Sequence, residues 1–478
     1  MMRQNRSFPR SVSGKLFFLA FWIRQIQIMG GLLLMKLVYG VNDKPPIRKN
    51  LVYAFQQLLA IMAATLLVPI LVDATGTYMS QPAALCGAGF GTLFYLLIAT
   101  KKKSPVFLGS SFAFISPLAG AVAFGFLGIF LGAVFAGLVY VIIALIIKKT
   151  GVEWVNKLLP PVVIGPTVAL IGLSLCGSAV NNLANIAVSP DNYNLVAILV
   201  GVIAFFITVY ASVRGSKGMK LIPFVIGILG AYVIALVLTL IGNAANVDCL
   251  KLVNLAAFDN MQVFKVPRFT FLGIFGVYED ATNQIGSFAD VISILVLFAP
   301  VAFVTLAEHI ADHKNLSSII ESDLTKDPGL DRTLVGDGVG SIIGSFFGGC
   351  PNTTYGESVG CVAITGNASI STIAIAAIYC IILSFFDPFV CFVNSIPSCI
   401  VGGVCIALYG FIAVSGLKML QPVDLNDNRN LFVVAAILVP GIGGLTLNFG
   451  KVTISAIATG LILGILVNVI FNKRKENA

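Results

Sequence analysis

Apolar runs near twenty residues long recur along this chain, among them Phe126 to Ile147, Leu195 to Val213, Leu221 to Ile241 and Ile454 to Phe471. A helix rises about 1.5 Å per residue, so each run is long enough to cross about 30 Å of hydrocarbon. With two shorter, interrupted runs included, the pattern predicts about fourteen spans. They fall into two sets of about seven, residues 50–243 and 287–472, joined by the longest polar connection, 244–286. An odd-numbered set must insert in the opposite orientation to its twin, which predicts an inverted repeat. The expected fold is an all-α polytopic membrane protein.

The third member of each set breaks the apolar pattern. In the second half, Pro351-Asn352-Thr353-Thr354-Tyr355-Gly356-Glu357-Ser358 is polar, turn-prone and carries a carboxylate between two Gly-rich apolar runs. Unpaired amides and ionisable groups are expensive in a bilayer, so such a segment persists only where protein buries it or where it lines a cavity. In the first half the counterpart is Pro105 to Pro117. Aligned on glycine, Leu108-Gly109-Ser110-Ser111-Phe112 is expected to match Tyr355-Gly356-Glu357-Ser358-Val359. Paired interrupted segments of this kind point to a transporter's binding site, with half-helix N-termini aiming free amides at the midplane.

Composition excludes a soluble reading. The chain is 58% hydrophobic and only 11% charged, against about 25% charged for a soluble domain. Its net charge of +9 reports topology rather than nucleic-acid binding. With the N-terminus inside, Lys101–Lys103, Lys148, Lys149, Arg214, Lys314, Lys326, Lys418 and the basic tail 473–478 all fall on one side. The other side receives Lys251, Lys265, Arg268 and Lys451. Both termini are therefore expected to be cytoplasmic, with 244–286 external. The basic leader 1–49 is expected either to lie as an amphipathic helix on the anionic leaflet or to be an unstructured extension. Nine scattered cysteines lack metal-type spacing and read as fillers of helix interfaces. No metal cluster or nucleophile–base pair suggests an enzyme, and no cofactor is expected beyond a coupling ion.

Ionisable residues inside apolar segments mark the candidate chemistry. Glu308 closes the run Ile292 to Ala307 and is followed by His309, Asp312, His313 and Lys314; these are the chain's two histidines. Asp312 shares a helical face with Glu308, while His309 and His313 are rotated away. His313 and Lys314 are expected to be solvated at a helix end. Glu357 and Glu308 form a carboxylate pair on two elements, with no Lys or Arg expected in the eighth to tenth spans to neutralise them. Desolvation favours the neutral form of a carboxyl, and such groups can take up a proton on one side and release it on the other. Asp337, between Gly336 and Gly338, is expected to brace a neighbouring broken segment.

Ala307-Glu308-His309-Ile310, Asp327-Pro328-Gly329-Leu330, Pro351 to Glu357 and Gly109 to Ile115 together resemble the nucleobase–ascorbate transporter (nucleobase:cation symporter-2) family, most of all its bacterial uracil permeases. The resemblance runs from about Leu51 onward. It implies core and gate domains, short strands at broken spans 3 and 10, import of uracil by proton symport across the bacterial plasma membrane, and a homodimer. It also implies that Glu308 and Glu357 hold the base, that Gly356 and Phe112 offer backbone amides, and that Tyr355 and Ser111 lie beside them. Glu308, Asp312 and Asp337 are then the expected proton-coupling groups. The chain departs from the family pattern at Gln57, where histidine is common, at Asp312, where some uracil permeases have histidine, and at Ser358, where asparagine is usual. A purine or xanthine carrier of the same fold is the alternative. An anion carrier of related architecture is disfavoured, because an anion would meet like charge.

Overall fold

A computed structural model describes residues 37–73, 75–184, 194–279, 284–449 and 452–472. Most of the leader and the tail 473–478 lie outside the described residues. Among those described, eight helices are long and apolar enough to cross a membrane, and Ile370–Ser384, Asn428–Ile442 and Ala456–Phe471 are shorter apolar helices. The fold is mostly helical and of polytopic membrane type. Helices dominate because hydrocarbon offers the backbone no water, so each segment must satisfy its own amides and carbonyls.

In the first half, α1 (Ile47–Val72) and α2 (Gln81–Phe94) precede a short strand, β1 (Leu108–Ser110), and a half-length helix, α3 (Ile115–Ala121). Then come α4 (Gly125–Thr150), α5 (Pro161–Ser174), α6 (Cys176–Ala184), α7 (Leu195–Val213) and α8 (Pro223–Ala245). The second half opens with α9 (Phe288–Ile320) and α10 (Leu330–Gly348), then β2 (Asn352–Thr354) and the half-length α11 (Gly356–Thr365). It continues through α12 (Ile370–Ser384), α13 (Asp387–Ser395), α14 (Ser398–Lys418) and α15 (Asn428–Ile442). A small hairpin of β3 (Leu447–Phe449) and β4 (Val452–Ile454) leads into α16 (Ala456–Asn472).

The helices pack as two groups. In one, α10 lies against α2 and α4, α12 against α1 and α2, and α9 against α4. In the other, α14 lies against α5, α6 and α7, α8 against α7, and α15 and α16 against α5. Small residues let backbones approach where lipid supplies no hydrophobic drive between helices. Gly87 and Gly91 of α2 meet Gly344 and Gly340 of α10; a Cβ on Gly87 would stand 2.4 Å from the Gly344 carbonyl oxygen.

Two expectations need correction. The first helix begins at Ile47. Ahead of it the leader's last residues are neither an interfacial helix nor loose: Val38 and Tyr39 donate to the Gly366 carbonyl at 2.7 and 3.2 Å, and Ala368 donates back to Tyr39 at 2.9 Å. Finally, α9 does not end near Glu308. It continues for three more turns to Ile320 and so carries Lys314, a cation in a span expected to lack one.

Candidate binding cavity between the two helix groups

A helix broken within the bilayer leaves amides without partners, and here two breaks satisfy each other. Strand β1 pairs antiparallel with β2, with Leu108 opposite Thr354, Gly109 opposite Thr353 and Ser110 opposite Asn352. Neighbouring side chains complete the pairing. Thr92 Oγ1 accepts from the Leu108 amide at 2.9 Å and donates to the Leu108 carbonyl at 3.1 Å. Asn352 Nδ2 donates to the Gly87 and Gly340 carbonyls, both at 3.3 Å. The Tyr355 amide donates to Phe107 at 3.1 Å, and the Ser111 amide to Pro351 at 3.0 Å.

Each strand then turns into a helix. Gly356 opens α11, and a tight turn at Phe112–Phe114 leads into α3. The first amides of a helix have no acceptor within it and form its positive end. This geometry corrects the glycine alignment. Gly109 lies in a strand whereas Gly356 is the first residue of a helix, so by position Phe112 corresponds to Gly356. The two glycines answer to different pressures: a Cβ on Gly109 would stand 2.4 Å from the Tyr355 ring, while one on Gly356 would meet only Asp312, at 3.5 Å.

Between the helix groups lies a cavity of about 360 Å³. From the broken segments it is lined by Ser111, Phe112, Tyr355, Gly356 and Glu357, and from α9 by Glu308 and Asp312. Val168 of α5 and Phe411, Ile412 and Ser415 of α14 form the opposite wall, with Lys314 and Lys418 also on its lining. The three carboxyl-bearing residues are part-exposed, whereas Phe112 and Tyr355 are buried. Asp312 accepts from Thr354 Oγ1 at 2.8 Å. Tyr355 is tied down: its hydroxyl donates to the Ser110 carbonyl at 2.8 Å, and Thr65 Oγ1 lies 3.3 Å away. The Phe112 ring meets Tyr409 of α14 edge-on, centroids 5.6 Å apart, which joins the two groups across the cavity. Ser111 Oγ is buried and makes no hydrogen bond to the described residues.

Asp337 stands apart from this lining. It is fully buried on α10 and bonds His309 Nδ1 at 2.6 Å, while His309 Nε2 lies 3.0 Å from Thr333 Oγ1. His313, expected in solvent, is instead 1% exposed. Its Nδ1 donates to the His309 carbonyl at 2.8 Å, leaving Nε2 to accept from the Tyr95 hydroxyl at 2.7 Å. The helix continues past it, and Tyr95, just beyond the end of α2, sets its ring edge-on to His313 with centroids 6.4 Å apart. Lys314 is exposed, with Nζ 3.4 Å from Asn156 Oδ1.

The α14 wall was not singled out from the sequence, because nothing in an apolar run marks which residue will face a site built elsewhere; Thr354 lay inside the polar segment but was given no role of its own. Two departures from the family pattern touch each other. Gln57 Nε2 of α1 bonds Ser358 Oγ, which also accepts from the Phe107 amide at 3.0 Å.

A family model described as Permease family, Xan_ur_permease, matches residues 48–449. The chain belongs to the nucleobase–ascorbate transporter family. The uracil permease of Bacillus caldolyticus is 39% identical over 448 residues, covering 93% of this chain and 96% of that protein. That of Bacillus subtilis (strain 168) is 38% identical, with 92% and 97% covered. That of Escherichia coli (strain K12) is 33% identical, with 90% and 93% covered. This permease is thus a transporter-family protein and not an enzyme. Among solved structures, the transmembrane domain of the cyanobacterial bicarbonate transporter BicA matches with a TM-score of 0.60 at 14% identity, covering 90% of this chain and all of that one. The murine anion transporter Slc26a9 in the inward-facing state also gives 0.60, at 11% identity, covering 99% of this chain and 74% of that one. At such identities the likeness is one of fold alone.

Proposed function

We propose that this permease imports uracil across the bacterial plasma membrane by proton symport, as a secondary transporter without a bound cofactor. The observation that carries the reading is the convergence of Glu308, Glu357 and two helix N-termini on one cavity, together with the printed names of the relatives. Uracil is neutral and planar, with two N–H donors and two carbonyl acceptors. The carboxyl groups of Glu308 and Glu357 accept from the N–H groups, and the amides of Gly356 and Phe112 donate to the carbonyls. Ser111 adds a hydroxyl. The Phe112 ring covers a face of the base, and Tyr355 fixes the strand beside it. A site that hydrogen-bonds a ring edge rejects analogues that leave its buried groups unpaired.

Coupling follows from charge. Three carboxyl groups gathered in one partly desolvated cavity repel, and a proton brought with the base relieves that repulsion. In this reading Glu308 binds both base and proton, and Asp312 relays the proton toward the Lys314 side. Asp337 supports the relay from behind by holding His309. The two helix groups act as core and gate, built from about fourteen spans as inverted repeats of residues 50–243 and 287–472. Residues 244–286 are external, the leader and tail cytoplasmic, and the assembly a homodimer. The anion carriers of similar fold do not favour an anion here, since Glu308 and Glu357 would repel it.

Uptake of labelled uracil, competed by unlabelled bases, tests the assignment. Uracil should compete best. Stronger competition by xanthine or another purine would transfer the site to the alternative substrate class.

A further inference from the structure

The cavity between the helix groups is chemically one-sided. Glu308, Glu357, Ser111 and the residues whose amides open the half-length segments, Phe112 and Gly356, all come from the broken segments and α9. Across from them, Val168 of α5 and Ile412 of α14 present only methyl and methylene groups. Val168 is buried and Ile412 half-buried. The polar group of that wall, Ser415, comes almost one helical turn nearer Lys418.

The apolar wall is also rigid. Helices α5 and α14 meet through small residues, which let backbones approach closely. A Cβ on Gly172 would stand 2.5 Å from the Tyr409 carbonyl oxygen and 2.6 Å from the Ala413 amide nitrogen; one on Gly416 would stand 2.2 Å from the Ala169 amide nitrogen. Val168 adjoins Ala169 and Ile412 adjoins Ala413, so both side chains flank this seam. A close-packed surface resists an added methyl, because room for it is made by moving backbone rather than one side chain. Uracil supplies the matching asymmetry. Its ring positions N1, C2, N3 and C4 carry every hydrogen-bonding group, whereas C5 and C6 carry only hydrogen. With its polar edge on the carboxyls and amides, the base turns C5 and C6 toward Val168 and Ile412.

We propose that Val168 and Ile412 are the specificity-determining pair for the C5–C6 edge of the base: they admit hydrogen at C5 and resist a methyl or larger group there. The proposal rests on the reading of the cavity as a nucleobase site, and it adds a limit on substrate size that no carboxyl or amide sets. Neither side chain can hydrogen-bond the base, so the pair acts on selectivity and little on the affinity for uracil itself.

The test measures competition against labelled uracil, for uptake by whole cells and for equilibrium binding to the purified full chain in detergent. The competitors are unlabelled uracil, its 5-methyl derivative and its 1-methyl derivative. The proteins are the wild type, Val168→Ala, Ile412→Ala and the double variant. Trimming both side chains should improve the 5-methyl competitor relative to uracil by roughly 10-fold, the worth of a methyl-sized step in an apolar pocket, with a smaller gain in each single variant. Affinity for uracil should change by less than about threefold, because only a few dispersion contacts are lost. The 1-methyl competitor should gain nothing, since its blocked nitrogen faces the carboxyls. Should the double variant lose uracil binding, the single variants carry the same comparison. An unchanged ratio of 5-methyl derivative to uracil overturns the proposal. So does an equal gain by the 1-methyl derivative, which would mean a cavity loosened on every side, and so does a wild type that takes the 5-methyl derivative as well as uracil. If the wild type neither binds nor imports uracil, the nucleobase reading itself fails, a result seen before any variant is compared.

Discussion

The two broken segments share one architecture and differ in what they bring to it. Each supplies three residues of strand that lead into a half-length helix, with Phe112 on one side and Gly356 on the other at the cavity. The segment from β1 brings Ser111 and Phe112, a hydroxyl and an apolar ring. The segment from β2 brings Tyr355, Gly356 and Glu357, including the only carboxyl on either turn. Backbone geometry is thus duplicated while side-chain chemistry is not. One half offers amides and a cover; the other adds the group that can accept from a substrate N–H or carry a proton. The steric demands differ as well, since Gly109 makes room for the Tyr355 ring while Gly356 opens toward the cavity.

The largest expected effect lies on the β2 side. Glu357→Gln replaces an acceptor with a mixed donor and acceptor, leaving a substrate N–H buried beside the wrong group. It should weaken uracil binding by about 2–3 kcal/mol, measured by equilibrium binding to the folded, purified variant. Normal binding would remove Glu357 from the site and erase the contrast between the segments.

Next comes the contact between them. Gly109→Ala would place a methyl against the Tyr355 ring and should cost roughly 1–3 kcal/mol in stability. A lowered melting temperature should be relieved when the ring itself is removed, as in Tyr355→Leu. An unchanged melting temperature would mean that the strands are not held at this spacing.

Asp312→Asn sharpens the division between binding and coupling. It should abolish pH-gradient-driven accumulation in energised vesicles while shifting detergent binding by less than about 1 kcal/mol, because an amide can still engage Thr354. Glu308→Gln should impair both measurements. Full accumulation by Asp312→Asn would place the relay elsewhere.

The smallest effect belongs to the β1 side. Ser111→Ala should weaken binding by about 0.5–1 kcal/mol, the value of one neutral hydrogen bond. A loss comparable to that of Glu357→Gln would show that the two segments contribute equally, contrary to the asymmetry drawn here.

Much of this was written in the chain itself. Run length and the low share of charge determine a polytopic helical membrane protein, because hydrocarbon admits few other solutions. The cost of burying polar groups there makes Pro351 to Ser358 and Glu308 stand out without any fold in hand. The sequence could not decide what lies across a cavity. The pairing of β1 with β2 and the meeting of Gln57 with Ser358 join residues more than two hundred positions apart, and Phe411 and Ser415 come to face the carboxyls from another helix group. His313 makes the same point: its neighbours suggested a solvated helix end, yet α9 runs on and the turn just after α2 brings Tyr95 to it as a partner. Local pattern sets which segments are helical and which residues are costly to bury. Only packing between segments decides whether such a residue faces a cavity, a partner or water.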